Sequence, residues 1–104
     1  MTAPFRIRLM FEWGGGCLWC GNDAALERFD VGPIEALLPL SRSTLQRLEA
    51  LSAWHDRSLN WEYPADPGPW SPEEHVRFES AARAVLDDLR SELGPEYEVV
   101  YEAL

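Results

Sequence analysis

The stretch from Leu59 to Glu74, Leu-Asn-Trp-Glu-Tyr-Pro-Ala-Asp-Pro-Gly-Pro-Trp-Ser-Pro-Glu-Glu, constrains the fold of this chain more than any other. Prolines at 64, 67, 69 and 72 lower the entropy of the unfolded loop, so ordering it costs less than for a free chain. A flexible linker would be rich in Gly and Ser; this stretch instead carries Trp61, Tyr63 and Trp70. We therefore expect an ordered connection between two helices with its three aromatics largely buried. Each contributes roughly 1.5–3 kcal/mol on full burial, and monomers seldom leave such an apolar patch in water. The exit of the stretch is a helix start. Ser71 is the N-cap, Pro72 takes the first helical position, Glu74 closes a capping box, and Trp70 is placed to pack back on His75.

The rest of the chain is read from its periodicity. Phe5, Ile7, Leu9, Phe11 and Trp13 alternate with Arg6, Arg8, Met10 and Glu12, the signature of a half-buried strand over 5–13. Gly14-Gly15-Gly16 permits a tight reversal into a short second strand, Cys17-Leu18-Trp19-Cys20. Asn22 or Asp23 can cap a helical stretch over Ala24–Phe29, which Asp30-Val31-Gly32-Pro33 breaks. Ile34 to Leu40 is apolar and irregular, with room for one helical turn after Pro33. A helix capped by Ser41 runs to Arg57 or Ser58, with Leu45, Leu48, Leu51, His55 and Leu59 on one side and Trp54 at the edge of that stripe. The helix from Ser71 ends near Leu93, with His75, Phe78, Ala82, Val85, Leu86, Leu89 and Leu93 as its buried stripe. Glu79 and Arg83 form an i, i+4 pair on its wet side, and Gly94-Pro95 stops it. A last strand alternates over Tyr97–Glu102. Its outward residues are acidic and those of the first strand are basic, so the two should lie side by side, with Arg6 or Arg8 paired to Glu98 or Glu102. Residues 1–104 then form a single α+β domain: a small two- or three-stranded sheet covered on one face by two antiparallel helices. The first strand is central and the last is parallel to it.

The formal net charge is −9 and unevenly spread. Residues 1–60 carry six Arg against seven acids, a net −1, and residues 61–104 carry three Arg against eleven acids, a net −8. Such a chain repels phosphates, which argues against nucleic acid and anionic membrane surfaces as partners, and it can steer a basic protein partner. No apolar run approaches the roughly 18 residues of a membrane span, and the N-terminal residues carry no signal-peptide pattern. The expected location is the cytoplasm.

Few residues could carry chemistry. Cys17-Leu18-Trp19-Cys20 is the one reactive spacing: a thiol redox pair, or two ligands of a zinc site that would need two more. His55 and His75 are the only histidines, each on a different helix. A helix start would be needed to lower a thiol pKa, and Gly21-Asn22-Asp23 after the second cysteine argues against a continuous helix there. The alternative assignment makes both cysteines small buried hydrophobes. Gly14-Gly15-Gly16 lacks the Lys-Ser/Thr of a phosphate loop. Nothing points to a catalytic residue or a cofactor. The residues offered to a partner are Glu73, Glu74, Asp87 and Asp88 on the last helix and Trp61, Tyr63 and Trp70 in the connecting stretch.

Gly16-Cys17-Leu18-Trp19 with Asn22-Asp23-Ala24-Ala25, Leu38-Pro39-Leu40-Ser41, Ser58-Leu59-Asn60-Trp61-Glu62-Tyr63-Pro64 through Gly68-Pro69-Trp70, and Glu92-Leu93-Gly94-Pro95 together resemble a group of small uncharacterised bacterial proteins. The resemblance covers most of the chain and implies no activity, so it transfers no catalytic residue. By size and charge the chain also looks like the toxin-neutralising immunity proteins. The expected function is therefore a non-catalytic, acidic, protein-binding module of immunity type. The alternative is a thiol redox or zinc-binding protein built on Cys17 and Cys20.

Overall fold

The computed structural model describes residues 4–13, 15–59, 62 and 68–102. Strand β1 spans Phe5–Leu9, β2 Leu18–Cys20 and β3 Tyr97–Tyr101. Helix α1 spans Asp23–Phe29, α2 Arg42–Asp56 and α3 Pro72–Leu93, with a 3-10 turn at Glu35–Leu37. The fold is α+β. The sheet order is β2-β1-β3, so β1 is central. It pairs antiparallel with β2 and parallel with β3. The parallel pair needs a long crossover, which α1, α2 and α3 supply.

The alternation in β1 and β3 sets which face is covered. Ile7, Leu9 and Val99 are buried on one face, and Phe5 and Tyr97 on that same face meet Phe29 of α1. Arg6 and Glu98 are register partners on the other face and lie 3.4 Å apart. Arg8 Nε approaches Glu102 at 3.7 Å, an ion-pair distance beyond hydrogen-bond length. The expected adjacency and charge register of the two long strands are thus present. The two outer edges of the sheet differ. Along β2 the Leu18 carbonyl accepts the Ile34 N–H and the Leu18 N–H donates to Glu35. Along β3 the Arg90 guanidinium donates twice to the Val99 carbonyl, at 3.1 and 3.0 Å. A cation on an edge strand opposes pairing with a further chain.

The helix starts follow from their caps. Asn22 Oδ1 accepts the Ala25 N–H, Ser41 Oγ accepts the Thr44 N–H and Ser71 Oγ accepts the Glu74 N–H, with Pro72 at the first helical position. The stretch before α3 is pinned at its end to the C-terminus of α2. Gly68 has φ +93°, and a Cβ there would lie 2.1 Å from the Ser58 carbonyl oxygen, so only glycine fits.

Several expectations need correction. β1 ends at Leu9, not Trp13. Phe11 still points inward, but Trp13 leaves the strand line, is 49% exposed, and lays its ring over His55 while its indole N–H donates to Ser58 Oγ at 2.9 Å. His75 is exposed and not part of the α3 stripe. It lies in the first turn of α3, where it meets Trp70 edge to face with ring centroids 5.0 Å apart. Trp70 is half-buried rather than largely buried, because it sits at the mouth between α2 and α3. Leu45 and Leu59 are likewise half-buried. Glu79 and Arg83 converge on Tyr101: its hydroxyl donates to Glu79 at 2.7 Å and Arg83 lies over its ring at 5.5 Å. The expected burial of Trp61 and Tyr63 falls outside the described residues.

Candidate partner-binding site

The acids of α3 are sorted by helical geometry. Glu74, Phe78, Ala81, Val85, Asp88 and Glu92 recur at alternating spacings of four and three, the seam of a helix that packs on another helix. On α2 the matching seam is Thr44, Arg47, Leu51 and Trp54. At one end, Glu92 accepts the Ser41 N–H at 2.7 Å and the Thr44 hydroxyl proton. In the middle, Asp88 pairs with Arg47. At the other end, Glu74 Oε2 accepts the Trp54 indole N–H at 3.0 Å. The helices are therefore antiparallel, and their seam is fastened by three carboxylates. The Ser41 N–H and the Thr44 hydroxyl hold the Glu92 carboxyl below its ordinary pKa. Of the four α3 acids expected to face a partner, Glu74 and Asp88 serve this seam. Glu73 and Asp87 stay exposed, on the same helix side as the exposed Arg77.

Trp70, the described member of the expected aromatic set, belongs to a cluster with Trp54, His55 and Phe78. His55 is at the centre. It is 0% exposed, it stacks under Trp13 with centroids 5.2 Å apart, and neither ring nitrogen has a hydrogen-bond partner among the described residues. Burial holds its pKa below the ordinary value, against the opposing pull of Asp56. The imidazole is thus neutral and acts as a filler ring.

The two cysteines are both free thiols. Cys17 is buried, and its pKa is pushed up to about 12, first by burial and then by the charge of Glu35. Cys20 is also raised, by burial and then by Asp30, whose carbonyl accepts the thiol at 3.3 Å. A reactive redox thiol needs a lowered pKa, and both environments act the other way. Among the described residues no three His, Cys, Asp or Glu side chains gather to hold a metal.

Beside Cys17 lies a cleft of about 360 Å³. Three elements frame it: the corner Gly15–Cys17 after β1, the 3-10 turn with Glu35 and Ala36, and the face of α2 carrying Leu45, Leu48, Glu49 and Ser52. Its walls are mainly apolar, and among the described residues its charged lining consists of two carboxylates, with no cation. Glu35 is fixed in place, because its Oε1 accepts the Cys17 N–H at 3.2 Å and the Leu18 N–H at 2.8 Å. Glycine at 16 makes this possible: a Cβ there would meet Pro33 Cβ at 2.3 Å and Glu35 Oε2 at 2.8 Å. Glu49 is exposed and has no side-chain partner among the described residues.

Residues 5–103 match the model of the family described as Serratia CdiI immunity protein-like. The chain belongs to that family. No curated protein matches it individually. This CdiI-like chain is an immunity-type, toxin-neutralising protein whose partner is a protein. No helix among the described residues is long and apolar enough to cross a membrane.

The cleft is one concave feature of this CdiI-like chain, and it was not among the expected sites. Glu35 lies in a segment expected to be irregular, and Glu49 lies off the apolar stripe expected on α2. The available signal was the glycine run, since glycine also marks a place where another group approaches the backbone closely. It was read as a turn alone.

Proposed function

We propose that the protein neutralises a basic toxin by direct, non-catalytic binding in the cytoplasm, and that its N-terminal half carries more of the contact than the acidic α3. The family match over residues 5–103 is the observation that carries this reading. The net charge of −9 gives the sign of the partner. Two free cysteines accord with a reducing compartment. The engagement of Glu74, Asp88 and Glu92 in the α2–α3 seam is the reason for moving the contact away from α3. Glu73, Asp87 and the half-buried Trp70 remain as rim contacts, which set on-rate and salt dependence more than affinity.

The test is co-expression with a basic toxin domain, sought first in the reading frame next to the one that encodes this chain. The wild-type chain should protect the host and co-purify with that domain, and binding should weaken as salt is raised from 50 to about 500 mM. Protection without any stable complex would overturn direct binding. A complex indifferent to salt would overturn the basic partner.

A further inference from the structure

We propose that the cleft framed by Gly15–Cys17, the Glu35–Leu37 turn and α2 receives one arginine side chain of the toxin. Its aliphatic stem would lie on Ala36, Leu45 and Leu48, and its guanidinium against the carboxylates of Glu35 and Glu49. The inference rests on the proposal of a basic toxin partner and names where and how that partner is gripped.

Shape comes first. At about 360 Å³ the cleft is at the small end of ligand pockets, which run from about 300 to 1,000 Å³. That suits one long side chain. The walls come next. Leu45 and Leu48 are half-buried and buried respectively, and Ala36 is exposed. This is an apolar channel for methylenes, and the stem of a long cationic side chain packs on such a surface while its head seeks charge. Charge decides the occupant. Among the described residues the lining holds two carboxylates and no cation, and Glu49 lacks a side-chain partner. An anionic or purely apolar group entering here would desolvate the Glu49 carboxylate without answering its charge, which is costly.

Arginine fits better than lysine for a geometric reason. Glu35 Oε1 already takes two backbone N–H groups, so Glu35 presents mainly its Oε2 edge, while Glu49 is free to move. A planar guanidinium carries five N–H donors in a fork and can address two separate carboxylates at once, whereas an ammonium acts as a point charge. Pre-organisation adds to this. Glu35 is locked by its two backbone donors and by the close approach of Gly16, so little side-chain entropy is lost when the guanidinium arrives. An arginine in a desolvated pocket is also the residue type that concentrates binding energy in protein interfaces.

Two arms test this with the full chain. In the first, amide chemical shifts are followed while N-acetyl-arginine amide is added, with N-acetyl-norleucine amide as the uncharged control. The arginine probe should move the Gly15, Gly16 and Ser52 amides at millimolar concentration, the norleucine probe should not, and Glu49→Gln should remove the response. Equal shifts with both probes, or shifts that survive Glu49→Gln, would overturn the proposal. In the second arm, affinity for the basic toxin domain is measured for three exposed-site variants. Glu49→Arg and Ala36→Arg, the latter filling the cleft with the chain's own cation, should each weaken binding at least about tenfold, and Glu73→Arg should weaken it less than about threefold. Wild-type binding with Glu49→Arg unaffected would sink the cleft proposal while leaving the basic-toxin reading intact. No binding by the wild type would sink that reading itself.

Discussion

The α2–α3 seam and the cleft use the same residue type for opposite ends. In the seam, Glu74, Asp88 and Glu92 each meet a donor on α2: an indole N–H, a guanidinium, and the N-cap backbone with a hydroxyl. Their charge is answered inside the molecule. In the cleft, Glu35 is held by backbone donors and Glu49 has no side-chain partner among the described residues, so the charge there faces outward. A chain of net charge −9 therefore does not present a uniformly acidic face. What matters for a partner is how many carboxylates are left unanswered, and where.

The comparison can be broken most forcefully at the aromatic centre of the seam. Phe78 is 1% exposed and meets Phe11, Trp54, His55 and Trp70. Phe78→Ala should cost about 3–5 kcal/mol of stability in denaturant unfolding. The molecules that remain folded should bind toxin with unchanged affinity. A large loss of affinity at equal folded fraction would place the binding surface on the seam side.

Next in size is pH. The folded pKa of His55 is lowered by burial, whereas the unfolded chain takes up a proton near the ordinary value of 6.5. Below that pH the unfolded state binds more protons, so stability is full above about pH 6.5 and falls as pH drops, until the folded imidazole also titrates. The slope for one group is at most about 1.4 kcal/mol per pH unit. Glu92 has the same sign in a lower window: its contribution is present above the ordinary carboxyl value of 4.5 and lost as pH falls through its depressed folded value. Denaturant midpoints between pH 7 and 5 should fall for the wild type and flatten for His55→Phe. An unchanged slope in that variant would assign the effect to another group.

Smaller still is the cap of α3. Ser71→Ala should cost about 1 kcal/mol, read in the same unfolding assay, with toxin binding unmoved. Smallest are the exposed pairs on the open sheet face. Glu98→Ala should change stability by less than about 1 kcal/mol, because Arg6 and Glu98 keep half their side-chain surface in water. A larger cost would mean that this face is covered in solution.

What the sequence made legible was local. The alternation of Phe5, Ile7 and Leu9 and the capping groups of Ser41 and Ser71 act within a few residues, and the structure has them as expected. The charge match of Arg6 with Glu98 also carried across the chain, because a parallel register leaves few ways to satisfy it. What was not legible depended on which side of a helix meets which neighbour. His75 fits the α3 stripe by spacing, but in the first turn that side meets Trp70 rather than the core, and the residue is exposed. Glu74 and Asp88, expected to face a partner, instead meet donors on α2. Their four-and-three spacing with Phe78, Ala81 and Val85 was the signal that they belong to a seam, and it outweighs residue type when the opposing helix offers donors. Trp13 fits the strand alternation, yet it leaves the strand line and stacks on His55. The cleft joins residues from three separate segments, which no local pattern reports.

The most direct test of this division is amide hydrogen exchange on the protein with and without the basic toxin domain. Binding should slow exchange in 15–18, 35–37 and 45–52, with little change along the outer face of α3 around 73, 77, 80, 84 and 87. Protection centred on α3, with the cleft segments exchanging as in the free protein, would contradict the account and return the contact to the acidic helix.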